Sequence, residues 1–347
     1  MTGIGEFGNL GTGESGDPGI GKPGEAVEPA PAGARDTQSV PFNSQIPRSP
    51  DSRMASVALV AACLLWGVSF PVGKVVLGEV PPGWLIVARF VLAAVALLPF
   101  VRWRRLRLTR RDVAGLIGGA FLMGPAMFLL QFEGLARTTS SSAAFLVALA
   151  PPLLAAGGAL WDGERPSRRT WGAIAVATLG AALLAGVPGP GRTPLGDGLV
   201  AVSMVAAVAW TLASRRLGRR IGALAATALQ LAVGLVWLLP IVWLREGPPP
   251  ASVSPGIVLG LVVLGLGCTA VSFLLWNWGL QHVEAARAGV YGNIEPVVGA
   301  ALGVWWLGEK LGPSAVVGGL LVVVAALFVT AAPVVKKPDD VPIPPTS

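Results

Sequence analysis

The sequence predicts an all-α membrane protein whose ten transmembrane helices form two inverted five-helix repeats. Three observations predict this fold class. Hydrophobic residues make up 53% of the 347 residues, and charged residues only 13%, which is about half of their share in a soluble domain. The apolar residues are concentrated in ten runs, each close to the length that crosses a bilayer. A segment of the first half of the chain also recurs in the second half.

Turn-forming or charged segments separate the ten apolar runs, for example Pro81-Pro82 and Pro248-Pro249-Pro250. A helix needs about 20 apolar residues to cross the hydrocarbon core of a membrane. The predicted spans cover residues 55–77, 83–101, 113–132, 140–160, 170–187, 197–214, 223–244, 256–278, 287–307 and 314–334.

Polar tails flank the spans. Residues 1–53 contain 10 Gly and 7 Pro without an apolar run, a composition that does not bury enough surface to fold. We therefore expect a disordered cytoplasmic tail at 1–53 and a second cytoplasmic tail at 335–347. The expected repeats between them cover 54–188 and 196–334.

The basic residues between the spans predict the orientation. If the N-terminus is cytoplasmic, the inner loops and the C-terminal tail carry 16 Lys and Arg residues, and the outer loops carry four. Cytoplasmic loops are enriched in positive charge, so both termini are predicted to lie on the cytoplasmic side of the cell membrane. The net charge of +7 is explained by these clusters, and nucleic acid is not an expected partner.

An internal repeat appears when residues 134–164 are aligned with residues 279–309. The alignment needs no gap, and ten of the 31 positions are identical, among them Pro151/Pro296, Trp161/Trp306 and Glu164/Glu309. Each half of the chain contains five predicted spans. Because five is odd, the second half enters the bilayer in the opposite sense, which gives the inverted repeat of many secondary transporters.

Pro151 and Pro296 interrupt the fourth and ninth predicted spans at matching positions. Proline lacks an N–H and crowds the preceding turn, so the carbonyl groups of Val147 and Gly292 lose their helical partners. Paired interruptions of this kind point to a cavity at the pseudo-symmetry centre. Glu295 precedes Pro296 near the middle of its predicted span, where a carboxylate without a partner costs about 2.5–3.5 kcal/mol.

Each ionisable residue within a span has two interpretations. Glu295 is either a structural acid beside the kink or a substrate contact or proton carrier. Lys74 either extends to the interface or contacts substrate, and Arg89 either clamps helix ends or lines the cavity. Polar and aromatic residues nearby are further candidates for the lining: Asn293, Tyr291, Gln131, Ser141, Trp66, Trp210 and Trp276. Their structural alternatives are helix packing for serine and an interfacial position for tryptophan.

The chain resembles the EamA-type, ten-helix members of the drug/metabolite transporter superfamily. The residues that carry the resemblance are LLWGVSFPVGK (64–74), Arg89-Phe90 and the two aligned segments 134–164 and 279–309. The resemblance implies a central cavity between the two halves, alternating access, and Pro151, Glu295 and Pro296 at that cavity. It also implies structural roles for Glu164 and Glu309, which we expect to contact the start of the next helix.

These observations predict a secondary active transporter that moves a small organic metabolite, amino acid or drug across the inner membrane, with export favoured by the resemblance. The alternatives are an antiporter for nucleotide-sugars or sugar phosphates, a channel or passive scaffold, and a membrane-embedded enzyme. The sequence has one His and no GxxxxGK[ST] motif, so we expect no metal site, cofactor or ATP hydrolysis. The expected partners are a small-molecule substrate and the lipid bilayer, with a homodimer as an open alternative to a monomer.

Overall fold

The computed structural model describes residues 50–150, 152–154, 157, 168–186, 191–282 and 291–331. The predicted tails 1–53, apart from the start of the first helix, and 335–347 lie outside the described residues. Ten helices run through the described part of the chain, five in each half. This arrangement confirms the predicted all-α fold class.

The first half contributes α1 (Pro50–Val76), α2 (Pro82–Leu97), α3, α4 and α5 (Arg168–Gly186). Helix α3 starts as Arg110–Phe121, continues as a π-helical stretch at Leu122–Leu129 and ends as Leu130–Ala136. Helix α4 is regular at Ser140–Val147 and continues after a turn into residues 152–154. Two short 3₁₀ turns at Leu98–Phe100 and Trp103–Arg105 connect α2 to α3.

The second half contributes α6 (Pro194–Ile221), α7 (Ala223–Glu246), α8, α9 (Ile294–Leu307) and α10 (Pro313–Ala331). Helix α8 comprises Pro255–Val262, a π-helical stretch at Val263–Val271 and Ser272–His282. The third helix of each half therefore contains a π-helical stretch, a feature that is often found at functional sites.

Local sequence explains where several helices begin and end. Pro82, Pro194, Pro255 and Pro313 each occupy the first position of a helix, where a missing N–H leaves no hydrogen bond unmade. Thr109 caps α3 through a capping box with Asp112. At the carboxyl end of α9, Gly308 takes a left-handed φ of 64°, which glycine adopts without steric cost.

Six of the ten helices are long and apolar enough to cross a membrane by length and composition: α1, α2, α3, α6, α7 and α8. The other four are shorter apolar helices, and they are the fourth and fifth of each half. The two halves thus have the same pattern of long and short helices.

The two halves pack through equivalent helices. Helix α2 packs on α7, α4 on α9 and α5 on α10, while α3 contacts α6 as α1 contacts α8. Glycine permits several of these contacts. A Cβ on Gly299 of α9 would lie 2.6 Å from the Cβ of Ala144 on α4, and one on Gly67 of α1 would lie 2.7 Å from the Cβ of Val298. Small residues allow such close approach of helices in membranes.

Candidate functional site

A cavity of about 140 Å³ lies between the two halves. Seven helices line it: α1, α2, α3 and α4 from the first half, and α6, α8 and the start of α9 from the second. An apolar cavity of similar size is large enough to bind benzene, so this space is suited to a small organic molecule.

Aromatic rings form much of the cavity wall. The ring of Trp66 lies 5.0 Å from that of Trp276 and 5.2 Å from that of Phe273, measured between centroids. Phe273 also contacts Trp210 at 5.4 Å and Phe128 at 5.8 Å. Trp66, Trp210 and Trp276, which the sequence offered as lining or interfacial residues, all line the cavity.

Arg89 lines the cavity with only 1% of its surface exposed. Its Nε donates to Thr269 Oγ1 at 2.9 Å, and its Nη1 donates to Ser69 Oγ at 3.1 Å. Its Nη2 donates to the carbonyl of Cys268 at 3.3 Å, within the π-helical stretch of α8. All three acceptors are neutral. Arg89 therefore connects α2 with α1 and α8 and also reaches the cavity, which combines the two interpretations that the sequence left open.

The guanidinium group of Arg89 also lies on two aromatic rings. Its carbon atom is 4.9 Å from the centroid of Phe128 and 5.0 Å from that of Phe132. Cation–π contacts of this kind offset part of the cost of burying a charge. Among the described residues, no carboxylate forms an ion pair with Arg89.

Glu295 lines the cavity from the first turn of α9. None of the described residues donates a hydrogen bond to its carboxylate or forms an ion pair with it. The amino terminus of a helix carries a partial positive charge, which favours a carboxylate in this position. The carboxylate of Glu295 therefore has no hydrogen-bond partner among the described residues, and it lines the space that a solute would occupy.

Two further predicted residues line the cavity with polar atoms. The indole N–H of Trp66 is buried and has no hydrogen-bond partner among the described residues. Gln131, on the segment of α3 that follows the π-helical stretch, lines the same space. Together with Arg89, these side chains supply hydrogen-bond donors to the cavity.

The interruptions of α4 and α9 lie at equivalent positions, but each comes before its proline. Helix α4 turns at Ala148–Leu149 and α9 is preceded by a turn at Asn293, each beginning three residues before the corresponding proline. Pro296 consequently lies in the first turn of α9 rather than within a continuous span, and Glu295 is the second residue of that helix. Pro151 lies outside the described residues.

Residues at the two interruptions line the cavity. Val147 and Gly292, whose carbonyls were predicted to lose their helical partners, both line it. Asn293 is buried at the turn, and the half-buried Tyr291 lies just before it. Neither Asn293 nor Tyr291 is among the lining residues of the cavity that the structure describes.

Lys74 lies outside the cavity. Its Nζ donates to the carbonyl of Leu135 at 2.8 Å and to the carbonyl of Thr138, and these carbonyls belong to the end of α3 and the turn that follows. Lys74 therefore binds the carboxyl end of a helix, where free carbonyls and a partial negative charge favour a cation.

Ser141 is fully buried outside the cavity and binds Glu309. The Glu309 carboxylate accepts hydrogen bonds from the backbone N–H of Ser140 at 2.6 Å, from that of Ser141 at 2.8 Å and from the hydroxyl of Ser141 at 2.6 Å. Glu309 thus caps α4, in the other half of the chain. We expected Glu309 to contact the start of the next helix, α10. This prediction was wrong, because its carboxylate binds the start of α4. Its counterpart Glu164 lies outside the described residues.

Ser69, Thr269 and Glu133 were not among the site residues predicted from the sequence. Ser69 and Thr269 hold the guanidinium group of Arg89, and Ser69 follows Trp66 by three residues within the motif already noted. Glu133 was excluded because the third span was predicted to end at 132, whereas α3 continues to Ala136. Its carboxylate pairs with Arg137 and, at 3.0 Å, with Arg245 of α7.

The groups that line the cavity are suited to bind a ligand. The described lining offers one carboxylate, one guanidinium group, the amide of Gln131, hydroxyl and indole groups, and apolar side chains. His282 is exposed at the end of α8, and Cys63 and Cys268 are buried free thiols. In the described part of the chain no group of three or more His, Cys, Asp or Glu residues is arranged to hold a metal ion.

Comparison with known proteins identifies the family. The model of the EamA-like transporter family matches the chain twice, over residues 53–186 and 194–331. The chain is 28% identical to an uncharacterized transporter, YdeK, of Bacillus subtilis over 72% of this chain and 87% of that protein. It is also 28% identical to a probable terminal-alkyne amino-acid exporter of Streptantibioticus cattleyicolor, over 78% of this chain and 92% of the relative.

A third relative is a probable biotin transporter of Pseudomonas aeruginosa, which is 27% identical over 78% of this chain and 96% of its own length. The family and its relatives are transporters, which points away from an enzyme. The two matched segments contain five helices each, in agreement with the architecture described above. The chain therefore belongs to the EamA-like transporter family, and it is a multi-pass membrane protein of the drug/metabolite transporter type.

Proposed function

We propose that the chain is a secondary active transporter that exports a small organic metabolite, amino acid or drug across the inner membrane by alternating access. The observation that carries this proposal is the cavity lined by helices of both halves, with Glu295 at its wall. A site at the interface of two inverted repeats is exposed to one side of the membrane or the other when the halves move relative to each other.

The proposed solute and direction draw on the names of two relatives. One is named as a probable amino-acid exporter and another as a probable biotin transporter, and both names describe small organic solutes. The predicted orientation, with both termini cytoplasmic, is consistent with the distribution of Lys and Arg between the loops.

Glu295 is the proposed proton carrier. An intramembrane acid without a partner is costly as a charged group, so its carboxylate is suited to bind a proton or the cationic part of a substrate. Binding on one side of the membrane and release on the other would couple solute movement to the proton gradient.

The cavity chemistry favours a small solute over a nucleotide-sugar or sugar phosphate. A phosphate dianion requires several cations around it, whereas Arg89 is the only cation in the described lining. Lys74, which the sequence grouped with Arg89, binds backbone carbonyls elsewhere. We therefore rank an antiporter for nucleotide-sugars or sugar phosphates below a transporter of small organic solutes.

Transport by the purified protein in proteoliposomes tests the proposal. A panel of amino acids and drugs is loaded inside or outside the vesicles, with and without a pH gradient. We expect saturable movement of at least one solute, faster with the gradient. In Glu295→Gln the gradient should no longer accelerate transport, because the amide does not exchange a proton.

Glu246→Gln is the matched control, since Glu246 accepts hydrogen bonds from the backbone N–H groups of Gly83 and Trp84 at the start of α2, away from the cavity. Its transport should retain the dependence on the gradient. Gradient-dependent transport by Glu295→Gln at the wild-type rate would show that Glu295 is not the proton carrier.

A further inference from the structure

Arg89 has more hydrogen-bond donors than the described residues accept from. A guanidinium group has five N–H donors, and the described residues accept three hydrogen bonds from it, all through neutral oxygens. A buried cation is normally paired with an anion, because its removal from water is costly. Two N–H donors therefore have no acceptor in the described part of the chain and can bind a ligand in the cavity that Arg89 lines.

A second donor points to the same kind of ligand. The indole N–H of Trp66 is buried without a partner among the described residues, and Trp66 lines the cavity with Arg89 and Gln131. A buried donor that is not hydrogen-bonded is costly unless a ligand or water satisfies it. The donors come from α1, α2 and α3 and line the same cavity, so they favour a ligand rich in hydrogen-bond acceptors.

Apart from these donors, Glu295 and the hydroxyl groups of Ser69 and Thr211, most of the cavity lining is apolar or aromatic. Phe70, Phe128, Met127, Met204 and Phe273 all line the cavity. A ligand that satisfies these surroundings has one compact anionic group and an apolar or aromatic body. The planar fork of arginine matches the two oxygens of a carboxylate, and a single guanidinium group neutralises a single negative charge.

We propose that Arg89 binds the carboxylate of the transported solute, so that the substrates are small monocarboxylates with an apolar body. This inference rests on the proposed function, because it assigns the substrate class of the same cavity. The guanidinium group lies against the rings of Phe128 and Phe132. The hydroxyl groups of Ser69 and Thr269 fix its position by accepting hydrogen bonds. The bound carboxylate then supplies the anion that the described residues do not provide.

Binding of matched acid and amide pairs tests the assignment. The probes are phenylacetate with phenylacetamide and L-phenylalanine with L-phenylalaninamide, measured by isothermal titration calorimetry on the full-length protein in detergent. For the wild type we expect each acid to bind about 10- to 100-fold more tightly than its amide, the range for a hydrogen bond between charged groups. In Arg89→Gln this acid preference should disappear.

Arg89→Lys keeps the charge and loses the fork, so it should retain a reduced preference for the acid. Arg104→Gln, in the exposed connection between α2 and α3, is the matched control and should behave as the wild type. A purely structural Arg89 predicts an equal loss of acid and amide binding in Arg89→Gln, which would overturn the proposal. Acids that bind the wild type no better than their amides, including the case in which neither binds, would also overturn it.

The two proposals fail in different experiments. Wild-type protein that moves no solute in vesicles contradicts the transport function, while the preference for acids over amides in detergent is measured without transport. Transport of neutral amides at the rate of the acids would contradict the carboxylate assignment alone.

Discussion

Lys74 and Arg89 are both basic residues within predicted membrane spans, and the folded chain surrounds them differently. Lys74 donates to backbone carbonyls at the end of α3. Arg89 donates to two hydroxyl groups and one carbonyl, and it lines the cavity. Compact ammonium groups bind a cluster of carbonyl oxygens well, whereas the planar guanidinium group provides directed pairs of donors. These contacts give Lys74 a structural role, whereas ligand binding by Arg89 is the proposal made above.

Replacing Lys74 should lower stability. The substitution Lys74→Met keeps most of the side-chain volume but leaves the carbonyls of Leu135 and Thr138 without this donor. We expect a loss of about 1–3 kcal/mol, seen as a lower melting temperature of the purified protein in detergent. Lys310→Met removes an exposed lysine and is the control. An unchanged melting temperature in Lys74→Met would mean that water or lipid headgroups replace the amine without cost.

At the scale of helices, carboxylates from one half of the chain cap helices of the other half. Glu309 caps α4, Glu246 caps α2, and Glu79, in the turn after α1, binds the backbone N–H of Ser254 at 2.8 Å before α8. The first N–H groups of a helix have no partner within it, and an anion there is favourable. These contacts stabilise single helices and also join the halves.

The contact between Glu79 and Ser254 should depend on pH. Hydrogen bonds from the backbone N–H and then from the hydroxyl of Ser254 lower the pKa of the Glu79 carboxyl below its ordinary value of 4.5. The stabilisation is therefore present above that ordinary value and is lost as the pH falls through the lowered pKa. Because Glu79 is exposed, the effect should be small.

The variant Glu79→Gln measures this dependence. The difference in melting temperature between wild type and Glu79→Gln should favour the wild type at pH 7 and shrink as the pH is lowered below 4.5. A difference that stays constant from pH 7 into the acid range would contradict the assignment of the stabilisation to the ionised form of Glu79.

The contact between α5 and α10 should tolerate no side chain at Gly180. A Cβ there would lie 2.7 Å from the backbone oxygen of Gly318 and 2.8 Å from Cγ2 of Val322. Gly180→Ala should therefore destabilise the protein by about 1–3 kcal/mol, the usual cost of overpacking. The matched control is Gly172→Ala on the same helix, where nothing lies within 4 Å. Alanine favours a helix over glycine by about 1 kcal/mol, so Gly172→Ala should unfold at the same temperature or higher. Equal melting temperatures for the two variants would show that α5 moves away from α10 without cost.

At the scale of the whole molecule, carboxylates join the two halves at both faces. Asp112 of α3 pairs with Arg220 of α6 at one face, and four further carboxylates form contacts at the opposite face. This opposite face is the one at which α1, α3, α7 and α9 end and α2, α4, α6 and α8 begin, and the basic residues of the loops predict that it is the outer one. Glu309, Glu246, Glu79 and the pair of Glu133 with Arg245 all connect the halves there. If the halves rock to expose the cavity, these contacts must break on each cycle.

A disulfide across this face should therefore stop transport. Gly303 of α9 packs directly against Ser141 of α4, so cysteines at the two positions would be close enough to join. In a background with Cys63 and Cys268 replaced by alanine, oxidation of Ser141→Cys/Gly303→Cys should abolish solute movement in vesicles, and a reductant should restore it. Each single cysteine variant is a control. Full transport by the cross-linked protein would contradict rocking of one half against the other.

The family resemblance and the pattern of apolar runs were sufficient for the fold. The ten apolar runs, the internal repeat and the proline in the fourth predicted span of each half predicted two inverted units around a cavity. Glu295, Arg89, Trp66 and Gln131 line that cavity. These features are local or repeat along the chain, so they are visible in one dimension. The sequence also placed Lys74 and Ser141 among the candidates, and the structure assigns both to helix ends.

What the sequence determined by itself is which segments cross the membrane and which residues carry charge inside it, because the cost of burying polar groups is set by composition within each segment. Only the tertiary structure decided what those charges bind. The carbonyl that receives Lys74 is 61 residues away along the chain, and the amide that binds Glu309 is 169 residues away. Such partners are fixed by how helices pack within a half and between the halves, and the spacing of residues along the chain does not encode them.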